Sequence, residues 1–445
     1  MIRLVTMGKS SEAGVSSFQA LTMSLSGRIG VGNVAGTATG IAYGGPGAVF
    51  WMWVITFIGA ATAYVESTWR KFIKRNKTDN TVAVRRSTLK KALAGNGLRC
   101  SRAAIILSMA VLMPGIQANS IADSFSNAFG IPKLVTGIFV IAVLGFTIFG
   151  GVKRIAKTAE IVVPFMAVGY LFVAIAIIAA NIEKVPDVFG LIFKSAFGAD
   201  QVFGGILGSA VMWGVKRGLY ANEAGQGTGA HPAAAAEVSH PAKQGLVQAF
   251  SIYLDVFLVV TATALMILFT GQYNVINEKT GETIVEHLKG VEPGAGYTQA
   301  AVDTLFPGFG SAFIAIALFF FAFTTMYAYY YIAETNLAYL VRSEKRGTAF
   351  FALKLVFLAA TFYGTVKTAT TAWAMGDIGL GIMVWLNLIA ILLLFKPAYM
   401  ALKDYEEQLK QGKDPEFNAS KYGIKNAKFW ENGYKRWEEK KGKAL

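Results

Sequence analysis

The chain has 445 residues, 54% of them hydrophobic and only 16% charged, with a mean hydropathy of +0.46. A soluble protein of this length carries roughly a quarter charged residues, so the net charge of +15 belongs to loops around a membrane-embedded core rather than to a nucleic-acid-binding surface. The single cysteine, Cys100, excludes a disulfide framework and any cysteine metal cluster.

Residues 1–15 hold Arg3, Lys9 and Glu12 and no apolar core, so they read as a cytoplasmic N-terminus rather than a cleavable signal. Ten apolar spans follow, at about 16–43, 46–70, 103–128, 132–151, 158–181, 200–228, 246–271, 309–340, 348–366 and 377–397. Several exceed the roughly 20 residues that cross a hydrocarbon core. The 72–102 segment carries Arg75, Lys77, Arg85, Arg86, Lys90, Lys91 and Arg99, which places it inside by the positive-inside rule. Alternation then puts Lys153, Arg154 and Lys157 inside, with Arg342, Lys345 and Arg346, and leaves the acidic loop 272–298 outside. Both termini come out cytoplasmic, the charged tail 398–445 lying at the headgroups or in solvent with Trp430, Tyr434 and Trp437.

Spans one and six are interrupted. Gly27, Gly30, Gly32, Gly36 and Gly40 punctuate the first, and Gly214, Gly218, Gly225, Gly227 and Gly229 the second. Each glycine weakens a helix by about 1 kcal/mol relative to alanine, and close helix packing through small residues is the plain alternative to unwinding. Polar residues decide between them. Asn33 follows Gly32, and Arg217, Asn222, Glu223 and Gln226 share one short stretch of span six, at a depth where polar groups line cavities. The interrupted spans open successive sets of five, a first repeat over 16–181 and a second over 199–397. That is the pattern of an inverted-repeat transporter with its site at the midplane.

The stretches SGRIGVGNVAGTATGIAYGGPGAVFWMW at 26–53, MPGIQANSIADSF at 113–125, RGLYANEAGQGTGAHPAA at 217–234 and FAFTTMYAYYYIAE at 321–334 carry a resemblance. In this order they closely resemble the alanine/glycine:cation symporter family, across nearly the whole chain. The resemblance implies an all-α, leucine-transporter-like 5+5 inverted repeat with broken helices one and six. It also implies cation symport of small neutral amino acids across a prokaryotic plasma membrane, with no organic cofactor and Na+ or H+ as coupling ion. The implied substrate contacts are Val31, Gly32, Asn33 and Ala35 of span one, Gln117 of span three, Tyr220, Ala221, Asn222 and Glu223 of span six, and Tyr329 of span eight. The implied Na+ set is the carbonyls of Ser26, Ile29 and Ala322 with the hydroxyls of Thr324 and Thr325. The family usually has Thr at Val31, Ser at Ala221 and Trp at Tyr329, so the preferred side chain is open among alanine, glycine, serine and a larger relative. Members also carry one further helix before the core and a Gly-Gly-Pro and Tyr-rich stretch where 72–102 is basic and patternless. A late start with a local frame error, or a decayed gene, is the expectation from those two departures.

Other classes fare worse. His231, Glu237 and His240 fit no zinc spacing and read as a cytoplasmic turn among small residues and prolines. Glu66 and Asp255 are intramembrane acids whose expected roles are proton coupling, a polar contact, or ion pairing with Arg28, Lys216 or Arg217. Glu223 is the leading titrating group, since it lies in the broken helix. An intramembrane enzyme would need a nucleophile with a base, and a channel a repeated filter; neither pattern is present. A non-transporting amino-acid sensor on the same fold is the remaining alternative.

Overall fold

The computed structural model of the chain describes residues 16–72, 95–150, 152–341 and 343–422, together with Leu4 and Trp430. Among the described residues, six helices are long and apolar enough to cross a membrane, and a pair bent by 80°, Phe165–Ala180 with Ile182–Ala196, forms a seventh. The shorter apolar helix Lys133–Phe149 and two interrupted helices complete the bundle.

Helix α1 (Ser17–Arg28) begins with a capping box. Ser16 Oγ accepts from the Gln19 N–H at 3.1 Å, and Gln19 Oε1 accepts from the Ser16 N–H at 3.0 Å. The helix stops at Ile29, whose backbone is extended (φ −71°, ψ 97°), and the chain resumes as a π-helical segment Gly32–Gly36 before α2 (Thr37–Gly44). Glycine is required at this break by contact: a Cβ on Gly32 would lie 2.9 Å from Ala221 Cα, and one on Gly30 2.5 Å from Thr325 Oγ1.

Next come α3 (Gly47–Phe72), α4 (Gly95–Leu107), a π segment over Ser108–Leu112, α5 (Pro114–Phe129), α6 (Lys133–Phe149), α7 (Val152–Ala180) and α8 (Val185–Ala196). The second interrupted element, α9 (Leu207–Asn222), ends at Glu223, the one non-glycine among the described residues with a left-handed backbone (φ 51°). The chain then runs through Gly225 and Gly227, both at positive φ, into the short α10 (Ala230–Ala235). Helix α11 (Pro241–Leu254) passes through a π segment, Asp255–Val260, into α12 (Thr261–Thr270). A hairpin of β1 (Asn274–Ile276) and β2 (Thr283–Glu286) pairs Val275 with Val285, and α13 (Ala295–Asp303) follows. Three long helices finish the bundle: α14 (Gly310–Leu340), α15 (Arg346–Val366) and α16 (Ala369–Lys410).

Helix α3 packs on α9 and α11, whereas α5 packs on α14 and α15; the broken α1–α2 element touches both groups. Apolar side chains also cover the outside: Phe165 is 77% exposed and Trp385 71%. Water would penalise so large an apolar exterior, and lipid would not.

The structure departs from the sequence reading at four places. The 182–198 stretch, read as a connection, contains α8, started by Pro186 and Asp187 in its first turn and buried through Val188 and Ile192. The loop 272–298 carries the hairpin and the start of α13. Helix α16 runs on through Pro397 to Lys410, well past the expected end at 397. The tail is also not simply solvated: Phe417 and Trp430 are buried, and Trp430 Nε1 donates to the Lys71 carbonyl at 2.8 Å. Most of the basic stretch after α3, residues 73–94, and Tyr434 and Trp437 lie outside the described residues.

Candidate functional site

The two interruptions meet. Backbone freed at Ile29–Val31 faces the end of α9, and one polar side chain from α5 joins them. Gln117 Oε1 accepts from the Val31 N–H at 3.4 Å, while its amide donates to the hydroxyls of Tyr220 at 3.4 Å and Tyr329 at 3.3 Å. Gln117, Tyr220 and Tyr329 are all buried. The amide, carried on span three, therefore touches spans one, six and eight at once, which suits a group that both donates and accepts. Tyr329 contributes a hydroxyl here that a tryptophan at the same position would lack.

Of the other expected substrate contacts, Gly32 abuts the backbone of Ala221, and Val31 and Ala35 are buried beside it. Asn222 turns inward on itself, its Oδ1 accepting from the Ala224 N–H at 2.9 Å. Asn33 points elsewhere. Its Oδ1 accepts from the Gly30 N–H at 2.9 Å and its Nδ2 donates to Asp255 Oδ1 at 2.7 Å, so it braces the break rather than lining it. Glu223 is buried at the αL turn, with Thr228 Oγ1 donating to its carbonyl at 3.4 Å.

The expected cation set lies where α1 packs on α14. Ala322 and Thr325 are three residues apart on α14 and share a helix face, while Ser26 lies in the last turn of α1 and Ile29 at the extended break just past it. Both Thr324 Oγ1 and Thr325 Oγ1 donate to the Phe321 carbonyl at 2.9 Å. Each hydroxyl thereby spends its proton within the helix and keeps its lone pairs for an acceptor role. Thr325 Oγ1 approaches Gly30 closely. Oxygen-only donors of this kind fit a hard cation.

At one end of the site Lys216 and Arg217 meet two residues the sequence reading did not single out, Asp377 and Trp373. Arg217 Nη1 donates to Asp377 Oδ1 at 2.9 Å, and Lys216 Nζ to Asp377 Oδ2 at 2.8 Å. The Arg217 guanidinium lies 3.9 Å from the Trp373 ring centroid, and Trp373 packs on Tyr220 with centroids 5.2 Å apart. Lys216 and Arg217 thus pair with Asp377, which corrects the expectation of an ion pair from either of them to Glu66 or Asp255. Asp377 had a signal: it is the lone acid in the apolar run 369–395.

The other acids have different surroundings. Glu66 Oε1 accepts from Asn387 Nδ2 at 2.5 Å and from the Gly227 N–H at 3.4 Å. Arg28 Nη1 is spent on Ser251 Oγ and Gln248 Oε1. Among the described residues no cation lies within ion-pair distance of Glu66, Glu223 or Asp255. His231 sits in α10, and His240 caps α11 and meets Asp404.

The family model described as the sodium:alanine symporter family matches residues 1–419. The "Putative sodium/proton-dependent alanine carrier protein YrbD" of Bacillus subtilis is 60% identical over 441 residues, covering 99% of this chain and 91% of that protein, so the match runs through the basic 72–102 segment. The "Sodium/alanine symporter AgcS" of Methanococcus maripaludis is 36% identical over 90% of this chain and 86% of its own. Among solved structures, that of MhsT in complex with L-phenylalanine superposes with a TM-score of 0.53 at 14% identity, covering 87% of this chain and all of the other. That likeness shows a shared fold, the leucine-transporter-like bundle of broken and continuous helices.

Proposed function

The chain belongs to the sodium:alanine symporter family, and from that premise we propose that it imports small neutral amino acids, alanine, glycine or a close relative, by symport with Na+. It is a multi-pass membrane transporter rather than an enzyme. The observation that carries the substrate reading is the single amide of Gln117 tying the unwound Val31 backbone to Tyr220 and Tyr329. A substrate carboxylate would take N–H groups of the unwound segment about Gly32, as anions do at helix starts.

Na+ would sit between α1 and α14 on the carbonyls of Ser26, Ile29 and Ala322 and the hydroxyls of Thr324 and Thr325, tying the broken helix to the continuous one. Ordering the break lowers the conformational cost of substrate binding, which is positive coupling. A cation moving down about 100 mV supplies about 2.3 kcal/mol per charge, enough with its gradient for uphill uptake of a zwitterion. In a prokaryotic plasma membrane the end bearing Arg70, Lys71 and Arg102 would face the cytoplasm, and the Arg217–Asp377–Trp373 layer would close the outer path.

Proton coupling is the second reading, favoured by the buried Asp255, which lacks a cationic partner among the described residues. A binding assay on purified protein tests substrate class: radiolabelled alanine displaced by glycine and serine, but not by phenylalanine or glutamate, and only with Na+ present. Displacement led by a large or charged amino acid would refute the proposal.

A further inference from the structure

Below the broken helices, on the basic end, lies a cavity of about 150 Å³ reached by Glu66, Arg70, Arg102, Asn336 and Asn387. That is about ten times the ~10–15 Å³ that one isolated water needs, room for a small solute rather than a single solvent molecule. Its charges are arranged unusually. Glu66 and Arg70 are one turn apart on α3, in the acid-first i,i+4 order that favours pairing on a helix. Both line the cavity, yet no ion pair joins them among the described residues. Glu66 is instead turned to Asn387 and the Gly227 N–H through Oε1 alone, and Oε2 makes no hydrogen bond among the described residues. Asn387 spends its amide hydrogens on Glu66 and, at 2.9 Å, on the Gly225 carbonyl, leaving its own Oδ1 as an acceptor.

The same cavity is also lined by cationic groups. Arg102 is nine-tenths buried, rests 3.6 Å over the Tyr339 ring, and reaches Asn336 Oδ1 only at 3.4 Å; its Nε has no partner. A buried guanidinium N–H left unsatisfied is costly, so this group is poised to accept a partner. The cavity thus offers a carboxylate and a carbonyl oxygen together with guanidinium groups that are not ion-paired with them among the described residues.

Resting on the amino-acid carrier reading, we infer that this cavity is a second, weaker binding site for the transported zwitterion, occupied between the central site and the cytoplasm. The α-ammonium meets Glu66 Oε2 and Asn387 Oδ1, and the α-carboxylate meets Arg70 and Arg102. An uncharged or singly charged solute satisfies only the acidic or only the cationic groups and leaves the others desolvated, so the site selects α-amino acids without reading their side chains. Because Glu66 grips Gly227 beyond the break of element six, occupancy here bears directly on the segment whose movement would admit the substrate.

Saturation binding of radiolabelled alanine to the purified full chain in Na+ tests this. Wild type should show two components, and Arg70→Gln should remove the weaker while shifting the tighter by less than about twofold. Arg70→Lys, which keeps the charge, should retain both, and unchanged monodispersity would exclude misfolding. A single component, equal in wild type and Arg70→Gln, overturns the second site while leaving the carrier reading intact. No alanine binding by wild type overturns both.

Discussion

Asn33 and Asp255 meet across 222 residues of sequence, with Asn33 Nδ2 donating to Asp255 Oδ1 at 2.7 Å. Each lies in a π-helical segment, Gly32–Gly36 or Asp255–Val260, and the two segments pack on each other. π-bulges often mark functional sites. Here they allow a side chain from the broken helix to reach back to the Gly30 N–H while anchored to a continuous one.

This brace predicts how substitutions at Asp255 differ. Asp255→Asn keeps an acceptor oxygen for Asn33 and should lower uptake less than about threefold. Asp255→Ala orphans a buried amide at a cost of about 1–3 kcal/mol and should lower uptake at least about tenfold. Initial-rate uptake in proteoliposomes checks both; complete loss in Asp255→Asn alone would favour proton coupling.

Gly32→Ala should abolish transport, because its Cβ would lie 2.9 Å from backbone atoms of Ala221 that cannot swing away. Gly381→Ala in α16, where a Cβ meets nothing within 4 Å, should change the rate less than about twofold. Comparable loss in both would assign the effect to helix propensity instead of the close approach.

Thr325→Ala removes a hydroxyl that faces Gly30. The half-saturating Na+ concentration should rise about tenfold, equivalent to ~1.4 kcal/mol, with the preference for alanine over glycine unchanged. Equal loss of ion dependence and selectivity would contradict the assignment.

The tail should respond to acid. His240 Nδ1 accepts from the Ala242 N–H at 3.1 Å, so the docked imidazole is neutral, and its Nε2 meets Asp404 at 3.2 Å. Burial holds its pKa below the ordinary 6.5, partly offset by Asp404, with Lys243 and Asp414 also near. The undocked form then binds the proton more readily than the docked one. Docking is therefore complete above about pH 6.5 and weakens as pH falls toward the lowered value. Lys421, which reaches Asp404 at 3.1 Å, should be cut by trypsin faster at about pH 5.5 than at about pH 7.5 once the protease's own pH dependence is subtracted. A rate independent of pH, or an unchanged pH response in His240→Gln, would contradict this.

The broken helices were legible because glycine clusters and buried polar residues carry local signals: Gly32–Asn33 and Asn222–Glu223 stand out against apolar runs. Of the ten spans expected from hydropathy, six appear among the described residues as helices long and apolar enough to cross a membrane, with a bent pair as a seventh. What the sequence hid was pairing at a distance. Asp377 and Arg217 are 160 residues apart, and nothing near either names the other. Helix α8 escaped because its apolar face is only two turns long, and the docking of Phe417 and Trp430 because aromatic residues in a charged tail look alike whether buried or exposed. Asn33 is a substrate contact only by the family resemblance; the partner of its side chain, Asp255, lies 222 residues away, and no local signal links the two.

The account rests on cation-driven accumulation of a small neutral amino acid. Purified chain in liposomes, given an inward Na+ gradient, should accumulate radiolabelled alanine above equilibrium and not do so when K+ replaces Na+. Na+-independent equilibration, or no uptake of alanine, glycine or serine under either gradient while purified protein still binds them, would contradict it.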